Sequence, residues 1–248
     1  MTFPDHFSSV AAQYAASRPR YPRALFAYLA GRAPHTQLAW DAGCGSGQAA
    51  LGLAEHFAQV VATDASAAQL ESAPARDNIT YRVTGEQDAL LADRSVDLVT
   101  VAQAVHWFDR PTFWGEVNRV LVPDGVLAVW TYNLPSVSAE IDAALRRWHG
   151  EVLNAWWPPE RALVEAEYRD IGFPYAREIV PGFRMSQHWT RAQFVAYLRT
   201  WSAVTSFNRG TGGDAVSLLA PELEALWPGD GPRDVVWPLT LLVGARPS

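Results

Sequence analysis

A chain of 248 residues with 49% hydrophobic, 12% aromatic and 19% charged side chains can bury a substantial core, which excludes a disordered or low-complexity protein. Its formal net charge is −6 and its twenty basic residues are all arginines scattered along the chain, which argues against nucleic acid as a partner. Its one cysteine, Cys44, excludes internal disulfides and cysteine-rich metal sites, so no metal is expected. No apolar run is long enough to span a membrane, and Met1-Thr2-Phe3-Pro4-Asp5-His6 lacks a basic-then-apolar leader, so no membrane association and a cytoplasmic location are expected.

Helical spacing opens the chain from Asp5 to Leu29 and breaks at Arg18-Pro19-Arg20-Tyr21-Pro22, which predicts two helices with a bend. Leu38 to Ala42 is an apolar, strand-like run. It leads into Gly43-Cys44-Gly45-Ser46-Gly47 and then a helix over Gln48 to His56. Gln59 to Asp64 reads as a second strand ending in a carboxylate, and Ser66 caps a short helix beyond it. Asn78 to Val83 is a third strand running into Gly85-Glu86-Gln87-Asp88. Val96 to Val101 is a fourth, with Gln103-Ala104-Val105-His106-Trp107-Phe108 at its end. A helical stripe (Phe113, Val117, Val120, Leu121) stops at Pro123-Asp124-Gly125, and Val126 to Trp130 is the fifth strand.

Beyond Tyr132 the pattern predicts helices around Ile141 to Trp156 and Arg161 to Tyr168, a strand near Arg177 to Arg184, and a helix over Arg191 to Trp201. A flexible loop is predicted at 208–214 and a last strand over Val235 to Val243. Alternating strands and helices predict an α/β, Rossmann-like doubly wound sheet of about seven strands, mostly parallel with an antiparallel last strand. One domain is expected: lid helices over 1–36, a core over 37–132, a covering insert and helices over 133–232, and the final strand over 233–248.

In such a sheet ligands sit at the carboxyl ends of the strands. Gly43 to Gly47, Asp64, Glu86 to Asp88 and Gln103 to His106 all fall there. A carboxylate ending the second strand suits ribose hydroxyls. The glycines are spaced G-x-G-x-G, whereas a dinucleotide turn has G-x-G-x-x-G. Asp41, two residues ahead, would repel a diphosphate and favour a sulfonium or ammonium cation. A nicotinamide-dependent oxidoreductase is therefore the weaker reading.

Asp41-Ala42-Gly43-Cys44-Gly45-Ser46-Gly47 resembles the first motif of the class I S-adenosylmethionine-dependent methyltransferases, and Val61-Ala62-Thr63-Asp64-Ala65-Ser66 resembles their ribose-binding strand. Leu98 to Phe108 and Asn118 to Gly125 are similar to the type-11 branch, particularly its enzymes related to trans-aconitate methyltransferase. The resemblance implies S-adenosyl-L-methionine as methyl donor, S-adenosyl-L-homocysteine as product, a small-molecule acceptor methylated on an oxygen or carboxylate, direct in-line transfer, and a monomer or homodimer. Asp41, Ala42, Gly43, Gly45 and Gly47 would form the cofactor turn, and Asp64 and Ala65 would hold the ribose. Glu86 and Gln87 would flank the adenine and Gln103 the amino-acid end, with Tyr14 and Arg18 closing over it. His106 is a base, a substrate contact or a loop-orienting histidine. Trp107, Tyr132 and Trp201 are expected to wall the acceptor pocket. A cofactor-binding module without catalysis is the alternative from another class.

Overall fold

The computed structural model describes residues 19–248. Tyr14, Arg18 and the first expected lid helix lie outside the described residues. A seven-stranded sheet runs β3-β2-β1-β4-β5-β7-β6. Its strands are β1 Leu38–Ala42, β2 Gln59–Asp64, β3 Ile79–Val83, β4 Val96–Ala102, β5 Leu121–Tyr132, β6 Phe183–Trp189 and β7 Arg233–Ala245. β1 to β5 pair in parallel, and β7 is antiparallel to both of its neighbours. The expected sheet and its reversed last strand are therefore both present.

Alternation along each strand feeds two cores. Ala39, Leu98, Ala128 and Trp130 point to the face covered by α1 (Arg23–Arg32) and α2 (Gln48–Leu53). Trp40, Val99, Val101 and Val129 point to the face covered by α4 (Arg110–Val120). A strand buried on both faces reads as continuously apolar. Asp97 fixes the start of β1 by accepting the backbone N–H groups of Gln37 and Leu38 at 2.8 and 3.0 Å. Ser66 caps α3 (Ala67–Glu71) through the N–H of Gln69.

A third core, rich in tryptophan, holds the cover together: Trp148, Trp189, Trp227 and Trp237 pack with Phe194, Tyr197 and Leu223. Its helices are α5 Ala139–Glu151, α6 Arg161–Glu165, α7 Arg191–Arg199, α8 Ser202–Thr211 and α9 Ala220–Leu226. Here the expectations shift. The strand expected over Arg177 to Arg184 begins at Phe183 and extends to Trp189, because β6 is an edge strand that buries only Met185 and Trp189 against its neighbours. The loop expected at 208–214 is helical as far as Thr211, and Gly212 ends it with φ +72°. The helix ahead of β5 stops at Val120, and β5 continues through Pro123-Asp124-Gly125 with a register shift against β4. Among the described residues no helix is long and apolar enough to cross a membrane.

Candidate functional site

Two adjoining cavities open at the carboxyl ends of the parallel strands. The larger, about 530 Å³, is lined by the turn after β1 (Gly43, Cys44, Gly45, Ser46), the end of β2 (Thr63, Asp64, Ala65), the turn after β3 (Gly85, Glu86) and the end of β4 (Ala102, Gln103, Trp107). The smaller, about 110 Å³, is lined by His106, Tyr132, Asn133, Trp157, Arg161, Tyr197 and Trp201. Gln103 and Trp107 line both.

The first turn bends tightly because its three glycines all have positive φ, a conformation that costs other residues a Cβ clash. At Gly43 a Cβ would also stand 2.6 Å from Ala104 Cβ and 2.8 Å from Phe108. The Asp64 carboxylate ties this turn to β2, accepting the N–H of Gly45 and the N–H of Ser66, each at 2.8 Å. Glu86 accepts the N–H of Asp109 at 3.1 Å, joining the turn after β3 to the start of α4.

Four residues expected in the cofactor site do not line it. Asp41 is fully buried beneath the turn, where its Oδ1 accepts the Thr100 hydroxyl at 2.8 Å. Burial, opposed by that hydrogen bond, raises its pKa to about 7. It therefore supports the turn from below and does not line the cavity. Ala42 is likewise enclosed in the sheet. Gly47 is buried at the start of α2, with Tyr81 so close that a Cβ would lie 2.5 Å from its hydroxyl; its lack of a side chain serves the packing of β3. Gln87 is exposed, its amide folded against Gly85. Gly43, Gly45, Asp64, Ala65, Glu86 and Gln103 do come together on the larger cavity.

All four expected acceptor-side residues, His106, Trp107, Tyr132 and Trp201, meet on the smaller one. Trp130, an aromatic that could also have walled an acceptor pocket, sits in the core, edge-on to Tyr21 and Phe26. A polar chain backs this cavity. Gln103 donates Nε2–H to the Tyr132 carbonyl at 2.9 Å, which leaves Oε1 to accept the Thr131 hydroxyl at 2.6 Å. The Tyr168 oxygen lies 2.7 Å from His106 Nδ1. That bond holds the ring in place, with the donor set by the tautomer of the histidine. Burial, reinforced by the positive charges of Arg161 and Arg110, lowers the His106 pKa to about 3, so the ring is neutral.

Arg161, Asn133 and Tyr197 were not expected here, while Trp157 is one of the aromatics that could wall an acceptor pocket. The Arg161 guanidinium stacks on Trp157 at 4.7 Å and donates from Nη2 to Asn133 Oδ1 at 2.7 Å. The available signal was an arginine four residues beyond a tryptophan in Trp157-Pro158-Pro159-Glu160-Arg161.

A family model described as a methyltransferase domain matches residues 40–129. A proposed methyltransferase of Dictyostelium discoideum is 31% identical over 218 residues, covering 86% of this chain and 83% of that protein. The chain spans about half the length of other curated methyltransferases it matches. Among solved structures, a proposed type II methyltransferase from Anaeromyxobacter dehalogenans aligns with a TM-score of 0.88 and 44% identity, covering 93% of this chain and 99% of that one. The phosphoethanolamine N-methyltransferase 2 of Haemonchus contortus, solved with S-adenosyl-L-methionine, shares the fold at a TM-score of 0.52 and 16% identity, covering 99% of this chain and 58% of that one.

Proposed function

Because this chain belongs to the S-adenosylmethionine-dependent methyltransferases, we propose that the larger cavity is its donor site and the smaller its acceptor site, and that it methylates an oxygen of a small molecule. The observation that carries this reading is the wall shared by the two cavities, Gln103 and Trp107: a donor in one and an acceptor in the other meet only there.

The residues present fit the cofactor. Gly43 and Gly45 line the cavity without side chains, and Asp64 and Glu86 bring carboxylates to it. In this reading Gly43 and Gly45 flank the methionine end, Asp64 and Ala65 the ribose, and Glu86 the adenine. When bound, the cofactor supplies a methyl already activated by its sulfonium, so the chain has mainly to align the acceptor and exclude water, worth roughly 7–11 kcal/mol. Gln103, held at both ends of its amide by Tyr132 and Thr131, fixes the wall across which transfer runs in line. Trp107, Tyr132 and Trp201 exclude water from the acceptor side. In this reading His106, neutral and held at Nδ1 by Tyr168, carries its proton on Nδ1 and presents Nε2 to a hydroxyl proton.

Calorimetry tests the donor site. Wild type is expected to bind S-adenosyl-L-homocysteine, and Asp64→Ala to bind it about 10- to 100-fold more weakly, since hydrogen bonds to a charged group are worth roughly 1.5–3 kcal/mol. A wild-type protein that ignores the cofactor product but binds NADH would sink the proposal.

A further inference from the structure

Resting on that reading of the smaller cavity, we infer that Arg161 is the acceptor's anchor: the acceptor is a small hydroxycarboxylic acid whose carboxylate pairs with the Arg161 guanidinium and whose hydroxyl takes the methyl at the Gln103–Trp107 wall. Arg161 stands at the start of α6 with its side chain only 18% exposed. Among the described residues its Nε is buried without a hydrogen-bond partner. The nearest carboxylate, Glu165, is 3.7 Å from that nitrogen, half-exposed, and shared with His149 Nε2 at 3.7 Å. Neither distance is a hydrogen bond. A guanidinium carries five N–H donors in a planar fork that a carboxylate matches two at a time. Stacking on Trp157 and the bond to Asn133 hold the fork still and satisfy one edge of it. A purely structural arginine at this burial would have its Nε–H satisfied as well.

The walls define the rest of the molecule. Trp107, Trp157, Trp201 and Tyr197 give the cavity of about 110 Å³ flat aromatic sides, which suit a small planar body. Arg161 lines the smaller cavity alone, whereas Gln103 and Trp107 line both, so the anchored group and the methylated atom are different ends of one molecule. The chemistry agrees. A carboxylate held by a guanidinium is a weakened nucleophile, and esterifying it would strip a buried cation of its counter-charge.

The step balances within the site. The hydroxyl oxygen forms the bond to the methyl carbon, the carbon–sulfur bond breaks with its electron pair left on sulfur, and the hydroxyl proton passes to Nε2 of His106. Burial comes first among the causes that keep His106 neutral, followed by the charges of Arg161 and Arg110; among the described residues Tyr168 and Trp107 also lie against the ring. An acid docked on Arg161 offsets that charge, so His106 accepts a proton more readily once the acceptor is seated.

The test uses the whole protein saturated with S-adenosyl-L-homocysteine and the pairs lactate and lactamide, salicylate and salicylamide, 4-hydroxybenzoate and 4-hydroxybenzamide. At least one acid is expected to bind wild type about 10- to 100-fold more tightly than its amide, the range of a charged hydrogen-bonded contact. Arg161→Gln should abolish that preference, and Arg161→Lys should keep part of it, both with unchanged affinity for the cofactor product. With S-adenosyl-L-methionine the bound acid should give an alkali-stable methyl ether. The inference falls if no acid binds, if acids and amides bind alike, if Arg161→Gln keeps the preference, or if the product is an alkali-labile ester. Failure of wild type to bind S-adenosyl-L-homocysteine would instead overturn the methyltransferase assignment of the cavities.

Discussion

The two cavities share a wall but are built in different ways. The larger is a property of the sheet: its lining comes from turns at the ends of β1 to β4, with backbone and small side chains at Gly43, Gly45 and Ala65 and charges of both signs around them. The smaller is closed by the cover: beyond Gln103, His106 and Trp107 at the end of β4, its lining comes from side chains of β5's end, the segment before α6, α6, α7 and the turn after it, with aromatic rings around one guanidinium. Strand ends place a ligand by hydrogen-bonded geometry, which fixes a common cofactor. Packed side chains place one by shape and charge, which allows each protein its own acceptor. Substitutions in the two regions should therefore separate donor affinity from acceptor affinity.

The sharpest break in that comparison is expected at Gly43. A Cβ there meets Ala104 and Phe108 at 2.6 and 2.8 Å, at φ +65°. Left-handed backbone costs about 1–2 kcal/mol and overpacking about 1–3 kcal/mol, so Gly43→Ala should lose about 2–5 kcal/mol of stability in urea unfolding and its affinity for S-adenosyl-L-homocysteine. Gly115→Ala is the control. It is exposed within α4 with nothing near its Cβ position, and should gain about 0.5–1 kcal/mol. Equal behaviour of the two variants would show that the turn is not the donor seat.

The same contrast explains what could be read from the chain. The donor side is written in short contiguous segments, Gly43 to Ser46, Thr63 to Ser66 and Gly85-Glu86, because each strand end carries its own contribution. Strand periodicity locates those ends. The errors there concern direction, since Asp41 and Gly47 sit in the right turn but point beneath it, and spacing alone does not say which way a side chain faces. On the acceptor side Asn133, Trp157, Arg161 and Tyr197 come from separate elements and meet only through the tryptophan-rich core. No local pattern joins them. Glu167 and Tyr168 take positive φ without a glycine to announce it, and that turn brings Tyr168 under His106.

Titration should sharpen the contrast from beneath each cavity. Asp41, under the donor turn, has a folded pKa of about 7, above its unfolded value of about 3.9. The native state keeps a proton there that the unfolded chain has lost, so stability falls as pH rises from about 4 to about 7. His106, under the acceptor cavity, has a folded pKa of about 3, below its unfolded value of about 6.5. Stability from this group is lost as pH falls from about 6.5 to about 3. Each slope reaches up to about 1.4 kcal/mol per pH unit, and between pH of about 4 and 6.5 the two oppose one another. Relative to wild type, urea unfolding of Asp41→Asn should show stability rising more steeply with pH, and His106→Gln should show the reverse. Unchanged slopes would mean that neither group is held in its neutral form.

The smallest expected effect is at Tyr168, which lines neither cavity and meets the acceptor side at His106. Its hydroxyl lies 2.7 Å from Nδ1 and is fully enclosed. Tyr168→Phe deletes one oxygen, leaves the packing volume, and strands a buried ring nitrogen at a cost of about 1–3 kcal/mol. The larger consequence is for orientation: the proposed base role requires Nδ1 to carry the proton toward the Tyr168 oxygen, and without that acceptor the tautomer with Nε2 protonated, which cannot take a proton from a hydroxyl, gains ground. Turnover should fall about 10- to 100-fold, the range of general base catalysis at its lower end, with the affinity for S-adenosyl-L-homocysteine unchanged, because Tyr168 does not line the donor cavity. A loss of donor affinity equal to the loss of turnover would join the two regions into one cooperative site, and unchanged turnover would reduce His106 to a packing residue.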